Sequence, residues 1–182
     1  MSAERLAGIR RRLDRPIVLV GLMGSGKSTV GLRLANLLRL RFVDSDQEIE
    51  HAAQRSVAEI FAQFGEAHFR DGERRVIARL VSEGHGVIAT GGGAFVHPET
   101  RALVLDQAIA VWLDCDIATL VARTARRSTR PLLNSGDPED ILTRLHAKRA
   151  PAYAEAQIRI AAGNGSHHQT TWRILEAIEA WL

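Results

Sequence analysis

The residues Gly21-Leu22-Met23-Gly24-Ser25-Gly26-Lys27-Ser28 form the pattern G-x-x-x-x-G-K-S. These residue types at this spacing suit a polyphosphate. Gly21, Gly24 and Gly26 allow a tight turn that brings backbone N–H groups close to phosphate oxygens, and a following helix N-terminus adds positive partial charge. Lys27 reaches the terminal phosphates, and the Ser28 hydroxyl is a ligand for Mg²⁺. Four further groups of residues have chemical potential: Asp44-Ser45-Asp46, Phe69-Arg70, Gly91-Gly92-Gly93 and Arg149. Each also has a plain reading. Asp46 would serve as an N-cap for a helix over 47–53. Arg70 would pair with Glu66 or Glu73 along its own helix, and Arg149 would sit as a cation near a helix C-terminus. The three glycines would then be a simple turn.

The surrounding pattern supplies elements that can position these groups. Ile17-Val18-Leu19-Val20 reads as a buried strand, and Val30, Leu34, Leu37 and Leu38 fall on one face of the helix after the loop. Further strands are expected at 41–44, 87–90, 108–113 and 158–161. Ser56-Val57-Ala58-Glu59 is a capping box, with Val57, Ile60, Phe61 and Phe64 behind it and Gly65 at the helix end. A second helix is expected from about Glu66 to Glu83, and another from Ile117 to Ala125. Asp137-Pro138 opens a helix that breaks near Pro151. Residues 163–168 read as a polar loop before a final helix carrying Trp172, Leu175, Ile178 and Trp181. Alternating strands and helices predict an α/β fold of three layers, with a central five-stranded parallel sheet and helices on both faces. The candidate residues then collect at the carboxyl ends of the strands.

The 182 residues predict one domain over 16–182, preceded by a short basic extension over 1–15. No apolar run is long enough to span a bilayer, and the N-terminus lacks the apolar core of a secretory leader. The lone Cys115 excludes an internal disulfide, reads as core filler, and fits a reducing cytoplasm. A net charge of +3 points to small anionic substrates more simply than to nucleic acid. His167-His168 lack partners at metal-ligand spacing and read as loop residues. Asp114, after an apolar strand, superficially suggests a Walker B acid, but a structural role fits its order in the chain better.

Taken in order, the motifs resemble those of the shikimate kinases, a P-loop family with a nucleoside-monophosphate-kinase-like fold. The resemblance covers about residues 16–180 and rests on Gly21–Ser28, Asp44-Ser45-Asp46, Phe69-Arg70, Gly91-Gly92-Gly93, Arg130-Pro131-Leu132-Leu133 and Arg149-Ala150-Pro151-Ala152-Tyr153. It implies a monomeric cytoplasmic kinase that uses ATP and Mg²⁺ to phosphorylate the 3-hydroxyl of shikimate, with neither nucleic acid nor membrane as a partner. It also implies a mobile lid over about 123–138. Gly24, Ser25, Gly26, Lys27, Ser28, Thr29, Arg123 and Arg130 then bind ATP. Asp46, Arg70, Gly91, Gly92, Gly93 and Arg149 bind the acceptor, and Ser28 with Asp44 serves the metal. Lys27, Asp46 and Arg130 are the catalytic residues. A gluconate kinase of the same fold and a non-catalytic binding relative are the rival functions. Retention of Lys27, Asp46 and Arg130 argues against the latter.

Overall fold

The computed structural model describes residues 2–84, 86–125, 136–163 and 165–182. Its centre is a five-stranded sheet in the order β2-β3-β1-β4-β5, with β1 Ile17–Val20, β2 Phe42–Asp44, β3 Val87–Ala89, β4 Ile109–Asp114 and β5 Ile158–Ala161. All four pairings are parallel. The central strand β1 is buried along its whole length, as a parallel strand covered on both faces must be. Leu19 pairs with Ala89, and Ala89 pairs with Asp44. That register brings the ends of β1, β2 and β3 together, so the chain leaves each at one edge of the sheet.

Among the described residues the helices are α1 Ala3–Arg12, α2 Lys27–Leu38, α3 Ser45–Ala53, α4 Val57–Ser82, α5 Pro98–Gln107, α6 Ile117–Thr124, α7 Pro138–Tyr153 and α8 His167–Trp181. None is long and apolar enough to cross a membrane. The main core joins β1, β3 and β4 to Val30, Leu34 and Leu38 of α2 and to Ile174, Leu175 and Ile178 of α8. A second, smaller core contains Ile49, Ile60 and Phe69, with Val57 and Phe61 against it. It ties α3 to α4, beside the cleft.

Several boundaries differ from expectation. The basic N-terminal segment carries α1 and packs on the domain: Ile9, 1% exposed, and Leu13 belong to the main core, and Arg5 pairs with Glu179. Burying a side chain such as Ile9 contributes roughly 1.5–3 kcal/mol, enough to fix the helix on the domain. The two helices expected over 56–83 are present as the two segments of α4, separated as expected at Gly65, whose φ of 80° and ψ of 172° are not helical. The capping box at Ser56 and Glu59 is present. Helix α7 continues through Pro151 to Tyr153, and α8 begins at His167 with Ser166 as its cap, so the polar loop is shorter than expected. Trp181 is 41% exposed and packs little. Asp114 accepts from Arg159 at 2.7 Å, a structural ion pair.

Candidate active site

A cleft of about 590 Å³ opens at the carboxyl ends of β1, β2 and β3. The phosphate loop forms one end. Gly26 caps α2 with a φ of 95°, a conformation that suits glycine. Lys27 is 8% exposed and donates from Nζ to the Gly21 and Leu22 carbonyls, each at 2.8 Å. Ser25 lies buried beneath the loop, 3.5 Å from that ammonium, so its side chain does not line the cleft. Ser28 Oγ donates to Asp44 Oδ2 at 2.7 Å, while Asp44 Oδ1 accepts from the Asp46 backbone N–H at 3.1 Å. Asp44, rather than Asp46, is therefore the N-cap of α3.

Arg123 ties the loop to the chain after β5, donating to Gly24 O at 3.5 Å and Gly163 O at 3.3 Å. His167 stands beside it, and a Cβ on Gly26 would come within 3.2 Å of the imidazole. Burial, then the positive charges of Arg123 and Arg33, lowers the His167 pKa.

At the other end, each glycine of the triplet lets a charged group lie against backbone. A Cβ on Gly91 would stand 2.8 Å from both Asp46 Oδ1 and Glu73 Oε1. On Gly92 it would meet Arg149 Nη1 at 3.3 Å, and on Gly93 the Arg70 guanidinium at 2.6 Å. Arg70 is held by Glu73 at 2.7 Å and by Glu66 at 3.2 Å, so its helical ion pairs exist and also aim it at the cleft. Arg149 donates to Gly92 O at 3.1 Å, and Tyr153 donates to the same oxygen.

Two carboxyl oxygens here, Asp46 Oδ1 and Glu73 Oε1, are buried with no hydrogen-bond partner among the described residues. Burial, then the Asp44 charge, pushes the Asp46 carboxyl above its ordinary value, against the pull of Lys27. Burial does the same to Glu73, opposed by Arg70. A poised acid next to two arginines can accept a proton from a hydroxyl whose parent molecule carries a carboxylate.

The cleft brings together Gly24, Gly26, Lys27, Ser28, Thr29, Asp44, Asp46, Arg70, Gly91, Gly92, Gly93, Arg123 and Arg149. Arg130 and most of the expected lid lie outside the described residues. Sequence reasoning missed three groups. Glu73, 2% exposed, reads in the sequence only as a helical partner of Arg70, and its place three residues after Arg70 is the available signal. Tyr153 closes the Arg149–Tyr153 motif, whose spacing gives it no role of its own. His167 reads as a loop residue, and nothing in its spacing marks it as part of the cleft.

A family model described as shikimate kinase matches residues 23–179. The shikimate kinase of Novosphingobium aromaticivorans is 54% identical over 186 residues, covering 100% of this chain and 96% of that one. That of Caulobacter vibrioides is 55% identical over 176 residues, covering 97% and 86%. Among solved structures, the shikimate kinase of Acinetobacter baumannii in complex with shikimate superposes with a TM-score of 0.90 at 36% identity, covering 98% of each chain.

Proposed function

The chain belongs to the shikimate kinase family, and we propose that within it Lys27, Asp46 and Arg130 carry the transfer of the ATP γ-phosphoryl group. The reaction is phosphorylation of the shikimate 3-hydroxyl, giving shikimate 3-phosphate and ADP on the way to chorismate and the aromatic amino acids. The observation that carries this reading is a single cleft with a phosphate loop at one end and, at the other, two arginines and a buried carboxylate layered on three glycines.

The backbone N–H groups of the loop and Lys27 hold the ATP phosphates, with Lys27 turning from its own loop carbonyls to them. Thr29 lines the same end of the cleft. Arg70 and Arg149 take the shikimate carboxylate, which fixes the ring. Asp46 accepts a hydrogen bond from the 3-hydroxyl and directs its oxygen in line with the γ-phosphorus. As the new P–O bond forms, the bond to the ADP oxygen breaks and the hydroxyl proton passes to Asp46. Arg130, outside the described residues, would close over the γ-phosphate as an arginine finger in cis. Arg123 and His167 border the space for the nucleoside.

Kinases of this type need a divalent cation, and we take it to be Mg²⁺. The Ser28 hydroxyl and Asp44 carboxylate, 2.7 Å apart on the cleft wall, are hard oxygen donors of the kind it requires. Bound there with phosphate oxygens and water, it would neutralise charge on the β- and γ-phosphates. The working form proposed is a cytoplasmic monomer with ATP and shikimate as its partners.

The test is a coupled ADP-release assay with Mg²⁺-ATP, comparing shikimate, gluconate, quinate and no acceptor. Turnover dependent on shikimate is the expected result. Turnover with gluconate alone would discard the substrate while keeping the phosphotransfer chemistry.

A further inference from the structure

Two roles fall on Arg149. In the structure its Nη1 donates to the Gly92 carbonyl at 3.1 Å, whereas in the reaction above the same guanidinium turns to the acceptor carboxylate. A half-buried carbonyl that loses its donor is costly, and that cost would be charged against substrate binding. Tyr153 lies one turn further along α7 and donates its phenolic O–H to the same Gly92 oxygen. A carbonyl oxygen has two lone pairs and accepts both donors at once.

We propose that Tyr153 is a positioning residue for the acceptor: it keeps the Gly92 carbonyl satisfied when Arg149 turns to the substrate, and so holds the glycine cradle in place. The role rests on the assignment of Arg149 to the shikimate carboxylate. Three observations support it. Tyr153 is fully buried in the main core, with its ring 5.8 Å from that of Trp112, so the hydroxyl is aimed by packing. Burial pushes its phenol up to about 12, against the pull of Arg149, so it remains a donor across any working pH. The bond it makes goes to the middle glycine, between the one facing Asp46 and the one facing Arg70.

Tyr153→Phe keeps the ring and removes only the bond. The expected result is a rise of roughly tenfold in the shikimate KM, about the worth of one hydrogen bond, with the ATP KM unmoved and kcat falling less than KM rises. In a cycle with Arg149→Lys the two effects should be non-additive, because both donors serve one oxygen. Ile178→Ala, in the main core and away from the cleft lining, is the packing control; it should lower the melting temperature and leave the shikimate KM in place. An unchanged shikimate KM in Tyr153→Phe, or equal shifts in both KM values, would overturn the proposal. Absence of shikimate turnover in the unmodified protein would instead overturn the function proposed above.

A second readout needs no substitution. The sequence contains a single tyrosine, so growth with 3-fluorotyrosine places one ¹⁹F probe at position 153. The proposal expects that resonance to shift on adding shikimate and to stay in place on adding ADP alone. A resonance that ignores saturating shikimate would count against it.

Discussion

The Arg70 guanidinium lies against the backbone of Gly93, so close that a Cβ there would stand 2.6 Å from its Cζ and from both terminal nitrogens. The obstructed group is the far end of a flexible side chain. Gly93→Ala should therefore fold normally and displace Arg70 from the acceptor. The expected outcome is a shikimate KM raised tenfold or more, in line with loss of a charge-assisted contact, with a nearly unchanged melting temperature. Gly21→Ala should do the reverse. Its Cβ would meet the Leu113 backbone carbonyl at 2.7 Å, at a φ of 134°, so the melting temperature itself should fall. Kinetics and thermal melts on the two variants separate these cases.

Asp46 links activity to stability. Its carboxyl is held above the ordinary value by burial and by Asp44, so protonation favours the folded state over the unfolded chain. The stability this contributes is fully present below the unfolded value of 3.8 and is lost as pH rises through the folded pKa. At neutral pH the ionised group is thus a burden on the fold. Asp46→Asn should lower kcat by roughly 10²–10⁴-fold. It should also raise the melting temperature near pH 7.5, by about 2–4 °C for each kcal/mol relieved, and the gain should shrink as the pH is lowered. The acid limb of the unmodified enzyme's pH profile should lie above 3.8, because Asp46 must be ionised to act.

Asp44 uses its two oxygens differently, one toward Ser28 and one toward the first turn of α3. Asp44→Asn keeps an acceptor for the Asp46 N–H and removes the charge, so it should raise the Mg²⁺ requirement with little loss of stability. Asp44→Ala removes both and should cost about a further 1 kcal/mol through the lost cap. Titrations of activity with Mg²⁺, together with denaturant unfolding, distinguish them. Chelation of the metal should abolish turnover in every variant.

Gly65 offers a purely conformational test. A Cβ there would touch nothing, yet its φ and ψ lie in a region open essentially to glycine alone. Gly65→Ala should destabilise by about 1–3 kcal/mol, or straighten α4. Straightening would move Phe61 relative to Phe69, whose rings now sit 4.6 Å apart, and would show as a raised shikimate KM.

Much of this arrangement was legible in residue order. The apolar runs marked all five strands, and the parallel register then placed the phosphate loop, Asp44–Asp46 and Gly91–Gly93 at one edge. What escaped depended on three-dimensional packing. Leu6, Ile9 and Leu13 keep a helical spacing, but the run of Arg10, Arg11 and Arg12 among them reads as solvated, and only the fold shows what that stripe packs against. Pro151 reads as a helix end because it lacks an N–H, yet α7 runs two residues past it and so delivers Tyr153 to Gly92. Glu73 looks like any helical partner of Arg70 until the fold buries it against Gly91. Which residue caps α3 is a matter of a single turn, beyond what spacing resolves.

The small core of Ile49, Ile60 and Phe69 has a consequence for how such a protein diversifies. It supports the helices that bear Asp46 and Arg70, whereas the phosphate loop is seated on the central sheet. Substitutions in that small core therefore reshape the Asp46 and Arg70 side of the acceptor site and leave the foundation of the ATP end intact. Descendants of one ancestor can inherit the phosphoryl donor unchanged while exchanging the alcohol that receives it.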